Sequence, residues 1–414
     1  MRSLLSRSLS LLVVVCAAVW GALPAQADPV VLTDIDPSGT YWHGCIGTSP
    51  DPATLWASMG QDVFTKTSAT TGSAVGGGQA TDGNYVDEMV FTNWATNAQG
   101  WTTVSGYNHL DSNKPFTATL AMTPNAWVCV DRTSNPGGSP GWLGMDLFLR
   151  QNTGVQASDV PGTYALFGHD VGSGVSWSGT AIMNADGNLT YSMLDSTSAV
   201  PDQGRGTWAL ASGQPILNMQ ASTSDPNIID HSFQLFLGKG GMSTLFTVDP
   251  NEGLSYEVQA KLGSDRTLSE AVGHWLIQGF VTDANGVPET AWGTCDVGAD
   301  GDFVSSLSTS LHPSDAFSGT GRIVLDSNGM ATFTEDADGH ITTGFLNRDG
   351  DLMVLSLNDG LPDSEAATGL MFAVKAVPEP ATLAILAAGA AFLVRRRRTP
   401  LAHLPGRNHS PPDA

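Results

Sequence analysis

Short apolar segments recur about every 8 to 12 residues along most of the chain, each bounded by clusters of Gly, Ser, Thr, Asp and Asn. The 3.6-residue spacing of an amphipathic helix is nearly absent between the two ends. Residues 254–261 show the local pattern most clearly. Leu254, Tyr256, Val258 and Ala260 share one face, and Ser255, Glu257, Gln259 and Lys261 share the other. A period of two with one polar face predicts an antiparallel strand whose polar side meets water. The predicted fold class is therefore all-β.

Sequence landmarks recur in order, which points to about three tandem units. Asp36-Pro-Ser-Gly-Thr-Tyr41 returns as Asp159-Val-Pro-Gly-Thr-Tyr164 and, more loosely, as Glu270-Ala-Val-Gly-His-Trp275. In the second and third units Trp177 and Trp292 each lead through Gly-Thr to Ala-Asp-Gly. Each unit then closes on an apolar strand ending in a base: Arg150, Lys261 or Lys375. The units are placed at 28–155, 156–265 and 266–376. Turn signals cut the second into strands at 162–168, 175–183, 188–194, 205–211, 215–221, 232–237, 243–248 and 254–261. Eight short strands per unit suit a closed up-and-down barrel, which leaves no exposed edge. A two-sheet sandwich for each unit, or one propeller built from all the strands, fits the same pattern. The Gly-Thr-Tyr or Gly-x-Trp opening strand resembles the start of small lipocalin-like or avidin-like barrels.

The two ends differ from this body. Residues 1–27 carry Arg2 and Arg7, an apolar run, and a small-residue site at Ala25 and Ala27. That is the order of a secretory signal peptide, and the run is shorter than the roughly 20 residues a spanning helix needs. Cys16 is no lipoprotein site, because Val15 stands where a small residue is required.

At the other end come Val377, Pro378, Glu379 and Pro380, then an apolar stretch at 381–394, then Arg395, Arg396, Arg397 and Arg398. This three-part tail resembles the PEP-CTERM sorting signal of exosortase-processed bacterial proteins. The resemblance implies an exosortase-like processing enzyme as partner, cleavage near the Pro-Glu-Pro, and passage through the inner membrane. The physics of the segment agrees. Pro380 suits a first helical position, and Glu379 complements the helix dipole. A helix over 381–394 would reach about 21 Å, short of the ~30 Å hydrocarbon core, so it is a marginal transmembrane helix. The four arginines would hold its end in the cytoplasm. Residues 399–414 extend beyond the point where such signals usually stop, and are read as a disordered tail. A permanent tail anchor of the same topology is the alternative.

Charge narrows the partners. The stretch 28–376 holds 38 acidic and 11 basic side chains. Such a body repels phosphate backbones, so nucleic acid is not an expected partner. Three cysteines remain there, and a Cys45–Cys129 disulfide is the one bridge considered.

Candidate chemistry is sparse. Asp/Asn-x-Asp/Asn-Gly occurs at 184–187, 283–286, 326–329, 336–339 and 347–350. These read as hairpin turns, with weak surface calcium binding left open. No metal site or cofactor is expected otherwise. The seven body histidines share no motif and are read as turn or surface residues. No HExxH, GxSxG or Walker loop is present, so no catalytic residues are assigned and the protein is not expected to be an enzyme.

The expected role is structural or adhesive, at the cell surface or in an exopolysaccharide-rich matrix. The alternative is a β-barrel module binding a glycan or small ligand, and a secreted hydrolase comes third. A deep aromatic-lined pocket would favour the binding module, whereas filled barrels would favour the structural role.

Overall fold

A computed structural model of the chain describes residues 36–376, apart from 49–54, 82, 131–142, 171–172, 199, 221–230, 250–252, 283–285, 311–312, 314–315, 338 and 358–367. The expected signal peptide at 1–27, the sorting residues 377–380, the apolar segment 381–394, the arginines 395–398 and the tail 399–414 lie outside the described residues. Among the described residues no helix is long and apolar enough to cross a membrane.

The body is three antiparallel barrels in sequence. Barrel 1 closes β1 (Gly39–Thr48), β2 (Leu55–Lys66), β3 (Gly72–Ala80), β4 (Gly83–Thr96), β5 (Thr102–Asn108), β6 (Lys114–Met122), β7 (Ala126–Val130) and β8 (Leu143–Arg150). Barrel 2 runs through β9 (Gly162–Asp170), β10 (Val175–Met183), β11 (Asn188–Asp195), β12 (Asp202–Ala211), β13 (Gln214–Gln220), β14 (His231–Gln234), β15 (Phe236–Leu237), β16 (Met242–Asp249) and β17 (Gly253–Lys261). Barrel 3 closes β18 (Gly273–Thr282), β19 (Pro288–Val297), β20 (Asp302–Thr309), β21 (Phe317–Leu325), β22 (Met330–Glu335), β23 (Ile341–Leu346), β24 (Leu352–Leu357) and β25 (Thr368–Lys375). Neighbours in sequence pair, and the first strand of each barrel pairs with its last. In barrel 2 a single broken strand completes the circle. Its first half, β14, pairs with β13, its second half, β15, pairs with β16, and the buried Leu235 sits at the break. A one-turn helix, α1 (Leu268–Ala271), leads into barrel 3.

All three barrels are sealed in the same way at the start of the first strand. Gly39, Gly162 and Gly273 take φ of +149°, +155° and +139°, a region open to glycine. Two residues later stands a fully buried ring, Tyr41, Tyr164 or Trp275. The Tyr164 hydroxyl donates to Val160 O (2.6 Å), and the Trp275 indole donates to Ala271 O (2.7 Å). The terminal base of the last strand lies across the same end. Arg150 sits 5.8 Å from the Tyr41 ring and Lys375 5.3 Å from Trp275, while Lys261 donates to Asp159 O at 2.8 Å.

Alternate residues on the adjoining strands face a barrel interior and a neighbouring barrel. On β18, Trp275 and Ile277 fill barrel 3, while Leu276 and Phe280 enter an apolar cluster shared by all three barrels. Phe167 stacks on Phe345 across barrels 2 and 3, with centroids 5.2 Å apart, and Trp42 meets Phe236 across barrels 1 and 2 at 4.6 Å. This shared burial explains why such strands read as nearly continuous apolar runs. It also corrects the expectation for 254–261. Tyr256, Val258 and Ala260 do share an apolar face, but that face packs against the other barrels. The polar face is no wet surface. Glu257 and Gln259 are buried inside barrel 2.

Candidate functional site

Barrel 1 is hollow. A cavity of about 660 Å³ runs inside it, with Phe64, Phe91, Trp94, Trp127 and Phe148 toward the sealed end and Phe116 farther along. Trp56, Tyr85, Asp87, Asn108 and Asp111 line it toward the opposite end. β3 adds almost no side chains to the interior. Its inward residues are Gly72, Ala74, Gly76, Gly78 and Ala80, so one wall has almost no side chains. Crowding from across the strand pair keeps it so. A Cβ at Gly76 would meet Asp62 Oδ1 at 1.4 Å, and one at Gly78 would meet Met59 O at 2.0 Å. A bulge in β4 between Phe91 and Asn93 lets both Phe91 and Trp94 point inward.

A charged cluster is set into the cavity wall. His43 on β1 holds Asp146 on β8 through Nε2 (2.9 Å) and lies 3.1 Å from Asp62 on β2 through Nδ1. Its ring stacks flat on Phe148, with centroids 4.3 Å apart, and the Tyr85 hydroxyl approaches Nδ1 at 3.4 Å. Burial works against charging this ring. Hydrogen bonds to Asp146 and Asp62, reinforced by both negative charges, nevertheless carry its pKa up to about 10. His43 is thus an imidazolium at neutral pH, with no free lone pair to act as a base. Burial and the same carboxylates push the Tyr85 hydroxyl and the Cys45 thiol up, so neither is an activated nucleophile.

The expected Cys45–Cys129 disulfide is not formed, and both residues are buried free thiols. Register explains it. Asp146 is paired with Cys45 on one side and with Cys129 on the other, so β8 stands between them. Two strand spacings are about 9–10 Å, beyond the roughly 7 Å that a disulfide spans.

The histidines also depart from the surface reading. His43 lies inside barrel 1, and His169 is 1% exposed between barrels 2 and 3, bonded to Ser176 (3.0 Å) and Thr282 (3.1 Å). His274 fits the expectation better, as a partly exposed partner of Asp296 at 2.7 Å. Nothing in the spacing of His43, Asp62 and Asp146 announces the cluster, because three strands bring them together.

Other polar sites are committed to structure. Inside barrel 2 both Glu257 oxygens are taken, by the Trp177 indole (2.8 Å) and by Gln259 Nε2 (2.6 Å). Burial still raises the Glu257 pKa against those two bonds. A basic groove of about 590 Å³ carries Lys261, Arg266 and Arg348. There Arg266 is held by Glu270 and by Asn347 O, both at 2.8 Å. The 184–187 and 326–329 motifs form hairpin turns. Gly187 and Gly329 take φ of +86° and +98°, and the Asp186 and Asp326 carboxylates accept hydrogen bonds from their own turns. Residues 283–285 of the 283–286 motif and Asp338 lie outside the described residues. Among the described residues no three His, Cys, Asp or Glu side chains converge as metal ligands.

Comparison with known proteins bears on the tail. Residues 376–398 match the PEP-CTERM protein-sorting motif. The chain carries a PEP-CTERM sorting signal. The match spans Val377, Pro378, Glu379, Pro380 and all four arginines, so this PEP-CTERM protein is exported and processed by an exosortase at the membrane. It says nothing of the barrels. No curated protein matches the chain. Among solved structures, intact Ap-TbpB with its N and C lobes is similar at 8% identity and a TM-score of 0.26, over 84% of this chain and 78% of that one. A protein of unknown function from the DUF3598 family of Nostoc punctiforme is similar at 12% identity and a TM-score of 0.20, over 52% of this chain and 94% of that one. Overlaps this loose leave the fold to be read from the strand pairing, and they transfer no activity.

Proposed function

We propose that this exported PEP-CTERM protein is a non-enzymatic binding protein, in which barrel 1 receives a small ligand and barrels 2 and 3 support it. One observation carries the reading: barrel 1 encloses a cavity of about 660 Å³, lined by aromatic rings and a few polar groups. Ligand sites are commonly 300–1,000 Å³ and mostly apolar, with a few polar groups that fix orientation. Emptying a barrel sacrifices packing contacts, so a hollow barrel beside the filled barrel 3 is better explained by an occupant than by stability.

A structural or adhesive role in an exopolysaccharide-rich envelope is the second reading. The apolar cluster shared by the barrels favours it, since it makes them one compact body. The two readings are compatible if the ligand site is displayed on a rigid surface protein.

Native mass spectrometry of the protein recovered from its host tests both sorting and binding. The expected species begins at Asp28, ends near the Pro-Glu-Pro, and carries a non-covalent adduct that is released on denaturation. Ala118 lines the cavity, and the Ala118→Phe variant should emerge without the adduct. An adduct unaffected by Ala118→Phe, or no adduct and no small-molecule binding in solution, overturns the binding reading. A species retaining the four arginines and the tail to Ala414 would make the protein a membrane-anchored ectodomain.

A further inference from the structure

We infer that the ligand of barrel 1 is a cationic amphiphile: an apolar or aromatic body that carries an amine-type cation. The inference rests on the binding reading above and narrows it to a chemical class. Three features of the cavity wall lead to it.

The first is the balance of charge. Asp87, Asp111 and Asp146 line the cavity, and no lysine or arginine lines it among the described residues. Its one cation, His43, is already held between Asp62 and Asp146 at 3.1 and 2.9 Å. Two carboxylates neutralise it with one negative charge to spare. Asp87 therefore faces the cavity without a cationic partner among the described residues, and Asp111 has only the exposed Lys114, 3.7 Å away. Asn108 donates to Asp87 Oδ1 at 2.7 Å, which orients that carboxylate without neutralising it. A carboxylate or phosphate ligand would have to leave water for a wall of like charge, whereas an ammonium would meet opposite charges in a medium of reduced dielectric.

The second is the division of the cavity along its length. The indole and phenyl rings of Trp94, Trp127, Phe64 and Phe91 pack one end, and the acids stand toward the other. A ligand matched to both has its charge at one end. The aromatic faces also favour cations, because the ring quadrupole is negative above the plane.

The third is the field of the whole body. With 38 acidic against 11 basic side chains between residues 28 and 376, the protein attracts cations and repels anions before contact.

The test uses three probes with one tail: octylamine, 1-octanol and octanoate, titrated into the full exported protein at pH 7. Tryptophan emission and calorimetry provide the readout. Octylamine should bind at least tenfold more tightly than 1-octanol, and octanoate should bind more weakly than either. In the double variant Asp87→Asn, Asp111→Asn the amine-to-alcohol ratio should fall toward one. Circular dichroism confirms that this variant is folded, and the single variants replace it if it is not. Octanoate binding as tightly as octylamine, or an amine preference that survives neutralisation of both aspartates, overturns the inference while 1-octanol binding keeps the cavity reading intact. If none of the three probes binds and native mass spectrometry shows no adduct, the cavity reading falls and the inference falls with it.

Discussion

Barrels 1 and 3 are closed by the same kind of glycine, ring and base, yet one is hollow and the other is packed. The third strand makes much of the difference. In barrel 3 the inward side of β20 brings Phe303 and Leu307 into a core with Trp275, Ile277 and Phe333. In barrel 1 the inward side of β3 offers only glycine and alanine. The polar content differs as well. Barrel 3 is filled by apolar side chains with the buried Glu289 on the same face of β19, whereas barrel 1 sets an imidazolium and two carboxylates into its wall. Closure and filling are separate properties of a barrel. The sealing residues define the fold, and the inward residues of one strand decide whether it has an inside.

The largest effects should come from attacking each interior at its anchor. His43→Leu strips Asp62, only 2% exposed in its side chain, of its cation. Removing one partner of a buried pair costs about 3–5 kcal/mol, so chemical denaturation should show a loss of that size. Adding Asp62→Asn to His43→Leu should recover part of it, because the stranded charge is then gone. Trp275→Ala should cost a comparable ~3–5 kcal/mol by opening a void in barrel 3. The contrast lies in the rescue. No neutralising substitution should restore the Trp275 variant, whose loss is packing. Equal rescue in both barrels would mean that the His43 cluster contributes only as packing.

A matched pair of insertions probes the hollow itself. Ala331 is buried in the core of barrel 3, and Ala118 borders the cavity of barrel 1. Ala331→Phe should destabilise by about 1–3 kcal/mol, because a filled core has no place for a ring. Ala118→Phe should cost less than this in the same denaturation experiment, since its ring enters existing space, and it should abolish ligand binding. Equal costs at the two positions would show that the barrel 1 cavity is not open in solution.

Much of this fold was legible in the sequence, and the illegible parts share a cause. Expected strands at 175–183 and 188–194 match β10 and β11 within a residue, because turns and alternation are local signals. The expected strand at 232–237 is broken at Leu235, where the chain passes from one neighbour to the other. Alternation over 254–261 grouped the right residues but assigned the wet face wrongly. Periodicity reports which residues share a side, and only the packing of neighbouring barrels decides which side is dry. The cavity left no local signal, since its lining residues come from seven strands that only barrel closure brings together. His43, Asp62 and Asp146 were invisible as a group, because closure of the barrel creates their proximity. Register likewise separates Cys45 from Cys129, which sequence spacing leaves open.

The smallest expected effect contrasts the two buried histidines and appears only on mild acidification. Burial lowers the pKa of His169 to about 4, only partly opposed by a hydrogen bond that the ring donates to the Val175 backbone. His43 moves the other way, to about 10, on its two carboxylates. The signs then differ. A raised pKa gives His43 a stabilising contribution that is fully present below about 6.5 and is lost as pH rises through about 10. A lowered pKa means that the unfolded chain gains a proton at His169 before the folded one does. That penalty is absent above about 7, grows as pH falls from about 6.5 to about 4, and levels off below. Between pH 7.5 and 6 the linkage amounts to about 1 kcal/mol, enough to read in a denaturation midpoint. His43→Leu should steepen that acid-side slope, because the stability His43 loses above about pH 6.5 runs against it in the same window. His169→Gln keeps a side chain able to hydrogen-bond Ser176 and Thr282 but cannot titrate, so in a His43→Leu background it should flatten the pH 6–7.5 profile. If the slope survives His169→Gln in that background, the acid sensitivity comes from another group, and the seam between barrels 2 and 3 is no weaker toward acid than the hollow barrel beside it.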